Sequence, residues 1–365
     1  MQTTEAVTEK KSLIFNQLSR ENYEQLVFCQ DKVTGLQAII AIHNTVLGPG
    51  LGGTRMYNYD SEEDAITDVL RLSRGMTYKA SISNLNLGGA KAVIIGDPEK
   101  HKNEALFRRF GRFIDSLGGR YITAEDVGTD TKDMEYVHME TDHVVGLPEN
   151  LGGGGDPSPV TAYGVYLGMK ASAKEVYGQE SLAGKKVLVE GVGKVGKYLV
   201  EYLAKENAQV LVSDINEKAL QDASKNYGAE VVKPEDVIST PMDIYSPCAL
   251  GATVNDESIE QLNCSIIAGG ANNQLKDEDH HAQKLMEKGI CYAPDYLINA
   301  GGLVNVYTEY NGYNYDTAMG RAESIYDTTL DILRRSKNEG ISTHEAANRI
   351  AEERISKIGQ IQLNF

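Results

Sequence analysis

The sequence predicts an α/β protein of two domains, in which an N-terminal α/β domain is followed by a doubly wound domain built on a parallel sheet. Three observations lead to this prediction. The chain has 365 residues, which is long for a single hydrophobic core. A run of glycine and proline, LGGGGDPSP at 151–159, interrupts it. Beyond that run, short apolar segments alternate with helical ones, which is typical of a parallel sheet.

The N-terminal part predicts a mixture of strands and helices. Residues 24–46 predict two strands joined by a turn at Lys32–Gly35. The tetrapeptide SEED, which starts at Ser61, resembles a capping box, and the apolar residues after it recur at three and four positions, as in a helix. A strand in KAVIIGDP, a helix in ALFRRFGRFIDSL and a strand in YITAEDVG are expected to follow.

The C-terminal part predicts six short strands separated by helices. Its first helix is expected in VTAYGVYLGMKASAKEVYG, and the segments 316–337 and 342–358 also have helical patterns. The predicted strands are KKVLVEG, QVLVSDI, AEVVK, MDIYSP, SIIAGG and GICYAP.

Composition excludes several classes of function. The net charge of −16 and the pI near 5.0 argue against a nucleic-acid-binding protein, which would carry a basic surface. No apolar run reaches the length that spans a bilayer, and the N-terminus shows no secretion signal. Four scattered cysteines favour reduced thiols in the cytoplasm. The histidines lack a ligand spacing, so no metal is expected.

A glycine motif predicts a dinucleotide site. Gly191, Gly193 and Gly196 form G-x-G-x-x-G between a β-rich strand and an amphipathic helix. Asp214 ends the next strand, at the spacing of the acid that binds the adenosine ribose, and it would repel a 2′-phosphate. NAD is therefore the predicted cofactor. Its predicted contacts in this region are Gly191, Val192, Gly193, Lys194, Val195, Gly196, Lys197 and Asp214.

Two lysines stand in a mostly apolar stretch, MTYKASISNLNLGGAKAVII. Lys91 follows glycines but lacks the Gly-Lys-Ser/Thr pattern of a phosphate-binding loop, which argues against a kinase or ATPase. A desolvated lysine has a lowered pKa and can act as a base, so Lys79 or Lys91 could do so while the other holds an anion. Solvated surface lysines explain the spacing about equally well. Asp126 follows a strand and is either a cleft acid or a cap.

Nine segments decide between these alternatives, because together they resemble the glutamate/leucine/phenylalanine/valine dehydrogenase family over nearly the whole chain. They are GPGLGGTRM (48–56), RGMTYK (74–79), LNLGGAK (85–91), ITAEDVGT (122–129), GDPSPVTAYGVY (155–166), GVGKVG (191–196), SPCALGATVND (246–256), GGANNQL (269–275) and APDYLINAGG (293–302).

The resemblance implies a role for each polar residue of these motifs. Lys79 would hold the substrate α-carboxylate, Lys91 would be the catalytic base, and Asp126 would exchange protons with the amine and imine nitrogen. Asn273 would contact the substrate. Asn272 and Thr161 would contact the cofactor.

The implied reaction is the NAD-dependent, reversible oxidative deamination of an L-amino acid to a 2-oxo acid and ammonia. In the glutamate-specific members a lysine stands where this chain has Leu51, so a glutamate carboxylate would be buried unpaired here. Leu51, Ala124, Leu303 and Val306 correspond to the side-chain pocket. This lining favours leucine, isoleucine and valine. An aromatic amino-acid dehydrogenase is the alternative, and an NAD-binding regulator without catalysis is a second one.

The resemblance also implies how the chain is organised. Residues 1–146, completed by a C-terminal helix at 338–365, would form a substrate-binding and oligomerisation domain, and residues 147–337 a Rossmann NAD-binding domain. The chemistry is expected in the cleft between them, with closure around 147–158 and near 330–340. A homo-oligomer is expected, and an octamer is usual in the leucine-specific members.

Overall fold

A computed structural model describes residues 13–310 and 312–362 and divides the chain into two compact units. The first unit contains the described residues up to Thr77 together with Leu87–Val144. The second contains Tyr78–Asn86 and the described residues from Val145 onward.

The first unit is built on a mixed six-stranded sheet. Its strands run in the order β1-β2-β5-β3-β6, and β4 also pairs with β5. The first three strands of that order are antiparallel neighbours, whereas β3, β4 and β6 join in parallel. The strands are β1 (Gln25–Asp31), β2 (Leu36–Asn44), β3 (Gly50–Leu51), β4 (Thr54–Tyr57), β5 (Gly88–Ile95) and β6 (Tyr121–Ile122).

Five helices accompany this sheet in the described part of the unit. Ser61 caps α2 as its sequence predicts, because its Oγ accepts the backbone N–H of Asp64 at 3.1 Å. The helix then continues beyond the unit and ends at Ile82. The helices are α1 (Leu13–Arg20), α2 (Glu62–Ile82), α3 (Pro98–His101), α4 (Glu104–Asp115) and α5 (Thr131–His138).

The strand expected in YITAEDVG is shorter in the structure, because β6 contains only Tyr121 and Ile122. Beyond them the chain still runs beside residues 52–56. The backbone N–H of Thr54 donates to Ala124 O at 2.8 Å, and that of Met56 donates to Val127 O at 2.9 Å. These bonds are not continuous enough to make a ladder, but they hold the segment that carries Ala124 and Asp126.

The second unit contains an all-parallel sheet of six strands in the order β12-β11-β10-β7-β8-β9. Read from the other edge, this is the arrangement 3-2-1-4-5-6 of the dinucleotide-binding Rossmann fold. Each of the six predicted strand segments contains one of these strands. They are β7 (Lys186–Glu190), β8 (Gln209–Ser213), β9 (Glu230–Val231), β10 (Ile244–Pro247), β11 (Ile266–Ile267) and β12 (Cys291–Tyr292).

Helices connect these strands and complete the second unit. The first of them packs closely on the segment that follows β12, since a Cβ added at Gly168 would lie 2.3 Å from Ile298 Cγ2. The helices are α6 (Ser158–Tyr177), α7 (Gly196–Lys205), α8 (Glu217–Tyr227), α9 (Asp256–Gln261), α10 (Glu278–Lys288), α11 (Asp295–Ile298), α12 (Gly301–Tyr310), α13 (Tyr315–Ala322), α14 (Ser324–Glu339) and α15 (Thr343–Gln362).

The glycine-rich segment is anchored on α12 by one carboxylate. Glu309 Oε1 accepts the backbone N–H of Leu147 at 3.1 Å, and Oε2 accepts that of Gly154 at 3.1 Å. The intervening backbone is tightly folded, because a Cβ at Gly153 would lie 1.5 Å from Leu147 O. The composition break is therefore an ordered loop. Its predicted role in domain closure stays a prediction.

The last helix lies in the second unit, where the hydroxyl of Ser81 donates to Ala351 O at 2.8 Å. We expected the C-terminal helix to complete the substrate-binding domain, and this functional division stays a prediction. None of the helices within the described ranges is long and apolar enough to cross a membrane.

Candidate active site

Lys91 forms a buried ion pair with Asp126 in the first unit. The lysine stands in the middle of β5, opposite Ala41 of β2, and only 6% of its surface is exposed. Its Nζ contacts Oδ2 of Asp126, whose side chain is 20% exposed. The structure thus brings together the predicted base and the predicted proton carrier, and leaves the carboxylate partly open to solvent.

Two glycines before β4 make this approach possible. A Cβ at Gly52 would lie 1.8 Å from the carbonyl oxygen of Ala90. A Cβ at Gly53 would lie 2.4 Å from Glu125 O and 3.0 Å from the Cβ of Asp126. The Gly-Gly of GPGLGGTRM therefore lets this segment lie tightly between β5 and the loop that carries the aspartate.

Arg55 adds a second cation to this pair. Its Nε lies 3.6 Å from Asp126 Oδ2, and its guanidinium donates to Asp68 Oδ2 at 2.8 Å. The same Asp68 oxygen accepts the hydroxyl of Tyr59 at 2.8 Å. No role was predicted for these three residues from the sequence, although Arg55 belongs to the motif GPGLGGTRM. Its position two residues after Gly52-Gly53, in a short strand of otherwise uncharged residues, was the available signal.

The electrostatics of the pair favour a charged aspartate and a lysine that loses its proton readily. Burial lowers the pKa of Lys91 from its ordinary value of 10.5, although the negative charge of Asp126 opposes this shift. Burial alone would raise the pKa of Asp126, but Lys91 and Arg55 outweigh it and hold the pKa below 3.8. A lysine of lowered pKa beside a carboxylate is suited to general-base catalysis.

The predicted side-chain pocket residues lie in both units. Leu51 is the last residue of β3 and is 2% exposed, and Ala124 is also buried. In the second unit, Leu303 and Val306 are three positions apart on α12 and therefore on one face of that helix. All four are apolar, as the prediction for an aliphatic side chain requires.

Lys79 begins a chain of hydrogen bonds within the second unit. Its Nζ donates to Asn299 Oδ1 at 2.7 Å, and Asn299 Nδ2 donates to Asn272 Oδ1 at 2.8 Å. Asn299 is buried, whereas Asn272 and Asn273 are exposed. The structure thus joins a predicted carboxylate-binding residue to the predicted asparagine pair. The linking residue, Asn299, was missed by the sequence analysis, although it lies in the quoted APDYLINAGG.

Asp295 fixes the backbone of the loop that carries Asn272 and Asn273. Its Oδ2 accepts the backbone N–H of Gln274 at 2.9 Å, immediately after Asn273, whose φ of 51° is left-handed. Asn tolerates this conformation better than most residues. Burial raises the pKa of Asp295, and the charge of Lys79 opposes this rise. The exposed amide of Asn273 is thereby presented from a fixed backbone.

The glycine motif has the geometry of a dinucleotide-binding turn. Gly191 has φ 103°, and a Cβ there would lie 2.7 Å from Ala249 N. A Cβ at Gly196, the first residue of α7, would lie 1.9 Å from Gly191 O. At Gly193 nothing lies within 4 Å of the same position. The open side at the second glycine is where a pyrophosphate would approach the helix N-terminus.

The other predicted cofactor residues surround this turn. Asp214 follows β8, and its carboxylate accepts the backbone N–H of Val192 at 2.6 Å and of Asn216 at 2.8 Å. Its half-exposed carboxylate has the position that ribose binding requires. Lys194 and Lys197 are exposed, Val195 is partly so, and Thr161 is buried in α6 with its hydroxyl bonded to Pro157 O at 3.0 Å. The residues present therefore fit NAD.

The chain has a Rossmann-type unit with this turn and another unit that holds a buried lysine–aspartate pair. Together these two features define an NAD-dependent oxidoreductase. Models of the Glu/Leu/Phe/Val dehydrogenase family match most of the chain, the dimerisation domain at residues 23–143 and the dehydrogenase model at 152–217 and 212–361. The chain belongs to this family. The predicted fold, the predicted class of amino-acid dehydrogenase and its dependence on NAD are thereby confirmed.

Three relatives illustrate the similarity. The leucine dehydrogenase of Bacillus cereus is 58% identical, with 94% of each chain covered. The phenylalanine dehydrogenase of Bacillus thermotolerans is 48% identical, over 97% of this chain and 94% of its own. The crystal structure of L-tryptophan dehydrogenase from Nostoc punctiforme superposes with a TM-score of 0.86 at 45% identity, over 94% of this chain and 99% of that one.

Proposed function

We propose that this protein catalyses the NAD-dependent, reversible oxidative deamination of L-leucine and other branched-chain L-amino acids to 2-oxo acids and ammonia. The observation that carries the proposal is the buried Lys91–Asp126 pair, together with the buried, apolar Leu51 on the strand paired with the one that carries Lys91. The higher identity to the leucine dehydrogenase than to the phenylalanine dehydrogenase supports the branched-chain substrates.

Each polar residue has a task in this reaction. NAD, held by the turn at Gly191–Gly196 and by Asp214, would supply the hydride acceptor. The substrate would give up a hydride from Cα and become an imine. Lys91, in its neutral form, would take a proton from the water that attacks this imine. Asp126, in contact with Lys91, would exchange protons with the substrate nitrogen as ammonia leaves. Lys79 would bind the α-carboxylate, and Asn273 would contact the substrate beside it.

The substrate side chain would meet an apolar lining. Leu51 offers no partner to a carboxylate, so a glutamate side chain would lose its hydration without compensation. Ala124, Leu303 and Val306 would supply aliphatic contacts of the same kind. Valine is one methylene smaller than leucine and isoleucine, and these two differ only in the position of a branch. One methylene in such a pocket is worth only about 1–3 kcal/mol.

Substrate preference tests this part of the proposal. With purified protein and NAD, we expect NADH to form fastest with L-leucine, more slowly with L-phenylalanine, and at background with L-glutamate. In Ala124→Gly the added space is expected to shift the phenylalanine-to-leucine ratio of kcat/KM upward by about tenfold. If the unmodified protein prefers phenylalanine, it is instead an aromatic amino-acid dehydrogenase of the same mechanism. No turnover with any amino acid would favour the NAD-binding regulator.

The pH profile tests the part that Arg55 plays. Its positive charge helps to lower the pKa of Lys91, so in Arg55→Met that pKa rises. Because the neutral lysine is the active form, the alkaline inflexion in kcat/KM should move to higher pH. We also expect kcat to fall between about 10- and 100-fold as the carboxylate loses its alignment.

Arg71→Met is the matched control for this experiment. Arg71 also pairs with Asp68, at 3.2 Å, but its side chain is 59% exposed and contacts neither member of the Lys91–Asp126 pair in the structure. Its profile should coincide with that of the unmodified protein. An Arg55→Met profile that falls in height without moving along the pH axis would contradict the electrostatic role.

We further propose that the protein works as a homo-oligomer in the cytoplasm, with an octamer as its form. The match of residues 23–143 to a dimerisation domain supports self-association, and four free cysteines among the described residues suit a reducing compartment. Light scattering measures the number of 39.9 kDa chains in the particle.

A further inference from the structure

Three potential metal ligands come together in the second unit, outside the proposed catalytic residues. Asp256 is the first residue of α9, and His280 and His281 stand in the first turn of α10. His280 Nε2 lies 3.1 Å from Asp256 Oδ1, and His281 Nε2 lies 3.6 Å from Asp256 Oδ2. The three ligand atoms all lie within 4.8 Å of one another.

His281 is held in the orientation that a metal ligand needs. It is 3% exposed, and its Nδ1 lies 3.0 Å from the carbonyl oxygen of Asp277. The tautomer with a proton on Nδ1 donates to that carbonyl, as metal-binding histidines commonly do. Its buried Nε2 has no hydrogen-bond partner within the described part of the chain and lies 3.6 Å from Asp256 Oδ2. In this tautomer its lone pair is available to a cation between the two groups.

The opposite tautomer is the competing explanation for this histidine. The backbone N–H of Asp277 lies 2.8 Å from the same Nδ1 and would donate to it. The proton would then be on Nε2, at a long 3.6 Å from the carboxylate. That arrangement satisfies the Asp277 N–H but leaves the buried Nε2–H without a good acceptor, which costs free energy. Metal binding would select the tautomer with the proton on Nδ1.

We propose that Asp256, His280 and His281 bind a divalent transition-metal ion, for which Zn²⁺ is the best match. Two imidazole nitrogens and one carboxylate oxygen are ligands that Zn²⁺ accepts, at about 2.0–2.2 Å from the ion. Ligand atoms at that distance are at most about 4 Å apart, so a side-chain movement of about 1 Å closes the site. His280 and Asp256 are exposed and free to make it.

Lys284 is the cation that a metal ion would have to replace. Its Nζ lies 3.0 Å from Asp256 Oδ1 and 2.9 Å from Glu260 Oε1. A doubly charged ion would take the Asp256 oxygen, and Lys284 would keep its contact with Glu260. The lysine therefore weakens metal binding without excluding it.

A bound ion would connect α9 and α10, which follow two segments joined by a pair of backbone hydrogen bonds. Val254 N–H donates to Gln274 O at 3.0 Å, and Lys276 N–H donates to Val254 O at 3.0 Å. The helix α9 follows the first of these segments, and α10 follows the second. The proposed site is thus structural. By holding the start of α10, the ion would fix the C-terminal end of the segment that carries Asn272 and Asn273.

The test measures metal binding to the full-length protein after chelator treatment and desalting. In a calorimetric titration with Zn²⁺ we expect one ion per chain at this site and a higher midpoint of thermal unfolding. His280→Ala and Asp256→Asn should each weaken binding at least about tenfold, since even partners one step removed from a metal contribute that much. Both variants alter exposed side chains and should keep dehydrogenase activity, which shows that they are folded.

Asp279→Asn is the matched control, because it removes the same charge from an almost fully exposed neighbour on α10. Its Zn²⁺ affinity should equal that of the unmodified protein. Lys284→Met should change affinity in the opposite direction and bind Zn²⁺ more tightly, since the competing cation is gone. The proposal is overturned if the unmodified protein binds no Zn²⁺, or if all four variants bind it equally.

Discussion

Replacing Lys91 by methionine is expected to reduce kcat by about 10³-fold, with L-leucine and NAD as substrates. The reason is that the proposed base is lost, and general-base catalysis is worth about 10²–10⁴-fold. Methionine keeps much of the buried volume, so the loss does not come from a cavity in β5. Steady-state NADH formation between neutral and alkaline pH measures the effect.

The pH dependence separates this loss from a general defect. In the unmodified protein the rate should rise with pH and level off below the ordinary lysine value of 10.5, because burial lowers the pKa of Lys91. The variant should lack this inflexion. Lys32→Ala, which removes an exposed lysine of the same unit, should behave as the unmodified protein. A Lys91→Met enzyme with a tenth or more of the original kcat would refute the assignment.

Replacing Asp126 by asparagine is expected to lower kcat by about 10²–10⁴-fold, because an amide does not exchange protons with the substrate nitrogen. The same change removes the negative charge that raises the pKa of Lys91. Burial and Arg55 then act on the lysine against only the smaller effect of Asp68, so the alkaline inflexion of the residual activity should move to lower pH. A stopped assay over a pH series measures both quantities.

The direction in which Asp126→Asn changes the stability of the fold also follows from the pKa of Asp126. In the unmodified protein the pKa of Asp126 is held below 3.8, so its ion pairs stabilise the fold above that pH and the contribution is lost as the pH falls through the lowered value. The Asp126→Asn variant should therefore be less stable than the unmodified protein at neutral pH. It should also lose less of its stability when the pH is lowered. Thr129→Val serves as the control for the local loop. An unshifted inflexion would contradict the coupling of Asp126 to Lys91.

The second unit was predictable because its signals are local. Strands buried on both faces of a parallel sheet are short apolar runs, and the turn after β7 is specified by its glycines. All six strands and the role of Gly193 could therefore be expected from the sequence. The resemblance to known dehydrogenases, and not the spacing of the lysines, selected Lys91 and Asp126 for chemistry.

The first unit contains features that no local pattern reveals. Strands β3 and β4 are short and interrupted by glycine, so only their pairing with distant strands identifies them. Arg55 meets Asp68 because the fold brings a strand next to a helix. In the second unit the fold likewise brings Asp256 next to His280, which is far from it in sequence, so no ligand role was predicted for the histidines.

The carboxylate that anchors the glycine-rich segment has a consequence for the evolution of this chain. Glu309 accepts one hydrogen bond from Leu147, which precedes the segment, and one from Gly154 within it. An inserted or deleted residue between them would separate these two donors from the single acceptor. The length of this loop is therefore constrained as strictly as its composition, whereas the turn at Val33, with that side chain 94% exposed, has room for insertions.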